Sequence, residues 1–268
     1  MCLEFTNESW YPLTHSRGHP MKRFLYRLAP LLTGMAAVTL ASAVGADSLI
    51  LNGGFESNGG AGTSVLTSWS VLNGPGSGSW YTQAGNSSPV NFATVPAPPE
   101  GSFAAMTDAN GPGSHVMYQD FLVPNTLPGA KLSFSTYLHS GGAFLSPATF
   151  STGTPNQQAR VDIMTTTADP FSVVDGDVLL NVFHTSPGDP LTSGYTARST
   201  DVSSLLLGRL GQTLRLRFAE ADNQSAFQFG VDNVTLSTTT PEPGAYALFI
   251  ASGLSVAGFL LRRRRARK

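Results

Sequence analysis

The chain has 268 residues, 41% hydrophobic and 12% charged, with a formal net charge of −1. That near-neutral total hides a segregation: from Asp47 to Pro243 six lysines and arginines face fifteen aspartates and glutamates, a net of −9, while the remaining cations gather towards the ends. An acidic middle lacks the cations that neutralise phosphates, which argues against nucleic acid as a partner, and a single cysteine, Cys2, excludes a disulfide framework or a cysteine-based metal site.

In chain order, residues 1–20 carry Glu4, Glu8, Trp10 and Pro12 and fit no part of a targeting signal, so they read as an extension ahead of a start at Met21. Residues 21–46 then give Lys22, Arg23 and Arg27, an apolar run from Leu28 to Leu40, and small residues ending at Ala46. These are the three parts of a secretory signal, with cleavage expected after Ala46 or, second, after Ala43. A longer charged region or an uncleaved signal anchor is the alternative.

Residues 47–240 read as one β-sandwich domain. Nearly 200 residues bury enough apolar surface to fold without covalent staples. Short alternating runs between Gly, Pro, Ser and Asn clusters predict strands at 48–51, 68–72, 102–106, 115–121, 131–139, 158–165, 178–183, 196–201, 213–219 and 228–236. In the fifth of these Leu132, Phe134 and Leu138 share one face, as a half-buried antiparallel strand requires. Residues 202–209 predict a short helix or turn capped by Asp201. Segments 52–64, 73–101 and 140–157 read as long loops that can form a binding edge or be tolerated insertions. The fold class expected is all-β, a jelly-roll-like antiparallel β-sandwich, plus one C-terminal transmembrane helix.

Sugar sites need aromatic platforms with a few polar groups. Trp80 and Tyr81, beside a Gly-Ser loop, are the candidates, with Tyr118 and Tyr195 behind them; Trp69 reads as core. Asp175-Gly176-Asp177 fits a polar hairpin, a calcium turn or an acid pair. His115, His139 and His184 lack metal-binding spacing, and no Gly-x-Ser-x-Gly elbow or phosphate loop occurs. Arg215, Arg217 and Glu220 read as a surface ion-pair ladder. The expectation is a protein that is not an enzyme.

Two motifs bracket the domain: Leu51-Asn52-Gly53-Gly54-Phe55-Glu56 followed by Trp69, and Phe229-Gly230-Val231-Asp232-Asn233-Val234-Thr235-Leu236. The pair resembles galactose-binding-like jelly rolls of carbohydrate-binding modules. That likeness implies neighbouring first and last strands, which would bring Glu56 and Asp232 together as ligands of a structural calcium ion relieving their repulsion. The plainer alternative is that Glu56 caps a turn and Asp232 binds backbone amides.

At the C-terminal end Pro241-Glu242-Pro243 precedes eighteen uncharged residues, Gly244 to Leu261, and then Arg262, Arg263, Arg264, Arg265, Ala266, Arg267 and Lys268. As a helix the 244–261 run would measure about 27 Å, enough to cross a hydrocarbon core, with the basic end 262–268 held in the cytoplasm. This tripartite tail, residues 241–268, resembles the PEP-CTERM sorting signal. The likeness implies cleavage by an exosortase-type membrane peptidase, a membrane-anchored precursor, and a destination at the cell surface or extracellular matrix of a Gram-negative bacterium that makes exopolysaccharide. The leading expectation is a non-catalytic, exopolysaccharide-associated binding or structural protein. A secreted polysaccharide hydrolase using Asp175 and Asp177, and a passive coat protein, are the alternatives.

Overall fold

Residues 48–238 are described by a computed structural model, so the expected signal, sorting tripeptide, apolar run and basic end lie outside the described residues. The alternation read in the sequence resolves into ten strands and one helical turn: β1 (Ser70–Asn73), β2 (Ser79–Ala84), β3 (Phe103–Asp108), β4 (Gly113–Leu122), β5 (Ala130–Ser140), β6 (Gln157–Thr165), β7 (Val178–His184), β8 (Thr192–Asp201), α1 (Ser203–Leu207), β9 (Thr213–Asp222) and β10 (Phe227–Thr238). They form two five-stranded antiparallel sheets, ordered β1-β4-β9-β6-β7 and β2-β3-β10-β5-β8.

Inward side chains of both sheets share one core, with Met117, Ile163, Leu216 and Phe218 from the first and Trp80, Leu132, Phe134 and Phe229 from the second. Phe134 meets Phe218 edge-on across the interface, at 5.7 Å between ring centres and 83° between planes. The all-β antiparallel sandwich is therefore present. Among the described residues no helix is long and apolar enough to cross a membrane.

Two elements depart from the sequence reading. Strand β2 lies inside the segment read as loop; Gly74, Gly76 and Gly78 around it dilute the local pattern, and pairing with β3 along all six residues supplies what propensity does not. Conversely, residues 48–51 form no strand beyond a bridge from Ser48 to Ser237. There the chain turns, with Asn52 in left-handed backbone (φ 49°), accepting from Ser57 N and donating to Ser57 O and Thr67 O. The helix is shorter than read, and the Asp201 carboxylate accepts from Ser203 N at 2.8 Å.

The expected surface ion-pair ladder on β9 is corrected. Its outer face is covered by the loops carrying Phe150, Phe171 and Val173, which pack on Val116, Ala219 and Ala221. Arg217 and Asp162 are both 0% exposed and paired, and the same guanidinium donates to Pro170 O and Ser172 O, each at 2.6 Å. Arg160 adds a second cation on Asp162. Only a guanidinium offers enough fixed donors to satisfy a carboxylate and two carbonyls at once.

Candidate functional site

Side chains alternate along a strand, so the face of β9 that carries Leu214, Leu216 and Phe218 into the core next presents Glu220 and Asp222. On neighbouring β4, His115 stands opposite Glu220 and Gly113 opposite Asp222. The apolar core thus ends in a buried polar layer of His115, Glu220 and Asp222. His115 Nδ1 lies 3.0 Å from Asn73 Oδ1, and Asn73 Nδ2 reaches Ser79 Oγ at 3.1 Å. With the amide so oriented, Nδ1 carries the proton and Nε2 a free lone pair.

Nε2 has no hydrogen-bond partner, nor has Glu220 Oε1; the closest approach between the two residues is 4.0 Å, to Glu220 Oε2. One donor atom from each of the three residues lies within 4.8 Å of the others. Burial pushes His115 down to about 4, outweighing the raising effect of the nearby Ser77 backbone, so the ring is neutral at pH 7. Burial, with Asp222 close by, holds Glu220 well above the usual carboxylate range. Asp222 is raised to about 7 by burial and by Asp108, although its Oδ1 accepts from Gly113 N at 2.8 Å.

Asp222 also borders a cavity of about 520 Å³ at this end of the sandwich, formed by loop 91–93, the β3–β4 turn and the β9–β10 turn. Its walls mix apolar and polar groups, with Ala93, Ala109 and Pro112 beside Asn91, Asn110, Gln224 and Gln228. Asp108 holds one wall in place, accepting from Val90 N, Asn91 N, Asn91 Nδ2 and Gln228 Nε2 at 2.7–3.1 Å. Gln228 Oε1 is buried without a partner. Between Asn91 and Ala93, both lining the cavity, Phe92 is 78% exposed and in left-handed backbone (φ 55°). A bulky side chain in that conformation is strained, and strain of this kind clusters at binding sites. Sequence reasoning missed this ring, because the 73–101 loop offers no periodicity to place it.

The residues singled out in the sequence fall elsewhere. Trp80 is corrected: it is fully buried, edge-on to Phe229 at 5.4 Å, and offers no face to a ligand. Tyr81 is partly buried, and Tyr118 lies under the Arg215 guanidinium at 4.0 Å. Tyr195 spends its hydroxyl on Gln83. Asp175 and Asp177 sit in the turn before β7, where Asp177 accepts from Ser172 Oγ at 2.6 Å.

Glu56 and Asp232 grip the same turn. Glu56 Oε1 accepts from Ser102 N and Phe103 N at 2.9 Å, and Asp232 Oδ2 from Glu100 N at 3.3 Å. Glu56 is exposed and Asp232 buried; burial, with Glu100 and Glu56 nearby, raises Asp232 to about 7. Close packing of the opening motif on β10 depends on Gly53, where an added Cβ would sit 1.8 Å from Val234 O.

No family model matches the chain, and no curated protein matches it. Solved structures similar to it include TmCBM61 in complex with beta-1,4-galactotriose (11% identity, TM-score 0.41, covering 72% of this chain and 100% of that one). The Stig cyclase Fisc from Fischerella sp. TAU is also similar (15% identity, TM-score 0.43, covering 74% and 100%). So is a structure of carbohydrate-binding modules from the beta-sandwich superfamily (12% identity, TM-score 0.39, covering 64% and 58%). Likenesses this distant carry no ligand across.

Proposed function

We propose that the chain is an exported, non-catalytic surface or matrix protein that holds polysaccharide in the cleft at the β3–β4 and β9–β10 turns. The observation that carries this reading is the exposed ring of Phe92, held on strained backbone between Asn91 and Ala93 at the edge of a cavity whose walls include the amides of Asn91, Asn110, Gln224 and Gln228. Sugars present apolar ring faces and hydroxyls that both donate and accept; an aromatic face answers the first, and Asn and Gln amides, which also do both, answer the second. A volume of about 520 Å³ falls within the roughly 300–1,000 Å³ of small-molecule sites.

Export, exosortase processing and transient membrane anchoring are supported by the tail's resemblance to PEP-CTERM signals and by the signal-like residues 21–46. A structural calcium ion at Glu56 and Asp232 belongs to the same proposal, supported by three carboxylates, with Glu100, around one turn. Chelator should then lower the melting temperature, and an unchanged melt would remove the ion.

The cleft is tested by isothermal titration of the full chain with neutral exopolysaccharide fragments. Phe92→Ala and Gln224→Ala are expected to weaken binding about tenfold each without altering the melt. Undiminished binding would place the sugar elsewhere. Hydrolysis products in the same mixture, lost on Asp177→Ala, would favour the hydrolase instead.

A further inference from the structure

Beneath the cleft the buried trio of β4 and β9 stays unexplained by sugar binding. His115 Nε2 and Glu220 Oε1, each on a side chain only 1% exposed, are buried without a hydrogen-bond partner, and Nε2 lies 4.0 Å from the other oxygen, Glu220 Oε2. Buried polar atoms without partners are uncommon, because each keeps the full cost of losing its water. A direct hydrogen bond is out of reach at 4.0 Å.

From this geometry we infer that His115 Nε2, Glu220 and Asp222 form a site for a divalent transition-metal ion of the zinc class. The donor set selects the ion. Imidazole nitrogen is a poor ligand for calcium or magnesium and a good one for zinc, and one histidine with two carboxylates supplies three protein ligands, leaving a fourth position for water or an oxygen of a bound molecule. Of the three, Asp222 borders the cavity, so the free position lies towards it.

The surroundings are those that metal ligands have elsewhere. His115 donates its other ring nitrogen to the Asn73 amide oxygen, which fixes the ring and presents Nε2 inward. Asp222 is held by Gly113 N. Space next to Nε2 is kept by glycine: a Cβ at Gly113 would come within 2.6 Å of Nε2. Donors around a tetrahedral zinc stand roughly 3.3 Å apart, given bonds of about 2.0–2.1 Å. Metal binding would therefore draw the donors together, by about 0.7 Å between His115 Nε2 and Glu220 Oε2 and by up to about 1.5 Å at the widest separation. This site is separate from Glu56 and Asp232, which hold the turn at 100–103.

The test uses the full chain in detergent, stripped with chelator and titrated with Zn2+, with Co2+ as a spectroscopic substitute. One equivalent of Zn2+ is expected, together with a visible Co2+ absorption band. Asp222→Asn should weaken Zn2+ binding at least tenfold, His115→Gln should abolish the Co2+ band, and Asp232→Asn should leave both intact. Should His115→Gln fail to fold, Asp222→Asn and the Co2+ spectrum of the parent chain decide the matter. The inference is overturned if the stripped chain takes up no zinc, if folded Asp222→Asn binds it as tightly, or if the only metal bound is calcium lost on Asp232→Asn. Sugar binding that persists in the zinc-free chain leaves the cleft reading intact whatever the metal result.

Discussion

Single residues here are governed by what burial does to charge. Asp162 and Arg217 are paired without solvent, and removing one partner of such a pair leaves an uncompensated ion. Asp162→Ala, which strands Arg160 as well, is expected to cost about 3–5 kcal/mol in chemical denaturation. Asp232 makes the complementary case. Its folded-state value of about 7 lies above the 3.8 of an unstructured aspartate, so its contribution is complete at low pH and is lost as pH rises through 7. Asp222, faced by Glu220, Asp108 and His115, behaves alike. His115 opposes them, its contribution falling away as pH drops from 6.5 towards 4. In chelator the melting temperature should therefore rise from pH 8 to pH 6, and Asp232→Asn should flatten that rise; a melt that falls over this range would contradict the assignment. None of these burials was legible in the sequence. Arg215 and Arg217 read as exposed because alternation shows that a strand has two faces but not that loops cover the outer one, and Glu220 because a charge on the core-facing side of β9 breaks the apolar pattern that marks that side.

At the level of elements the alternation served well wherever strands were long. The residues of β4, β5, β6 and β9 were readable to within about three positions because each repeats its apolar period several times. The short strand β2 was not, since six residues between glycines carry too little pattern, and only its partner β3 specifies it. That misreading produced the misplaced sugar platform, for a tryptophan in a supposed loop looks exposed while the same residue on the core-facing side of a strand, even the edge strand β2, is buried. Trp80→Ala is accordingly expected to cost about 3–5 kcal/mol, measured by urea unfolding, whereas a folded Trp80→Phe should bind sugar as the parent does. The cleft itself comes from three connections distant in sequence, so no local signal could announce it. The nearest clue was the passage of β9 from apolar to acidic residues at Glu220 and Asp222.

For the whole molecule, the all-β class was legible in the sequence, while the cleft proposed for sugar emerged only from tertiary pairing. Replacing Arg262 to Arg265 with glutamine should weaken membrane retention of the precursor, read by fractionation of cells expressing the intact chain. The bridge between Ser48 and Ser237 puts the domain's entry beside its exit, and β10 runs from the cleft at Gln228 to Thr238. At about 3.3 Å per residue those two points stand roughly 33 Å apart. Under the proposed anchoring, a tether leaving beyond Thr238 would lift the cleft loops outward like the flower on a stem, presenting them to whatever lies farthest from the lipid.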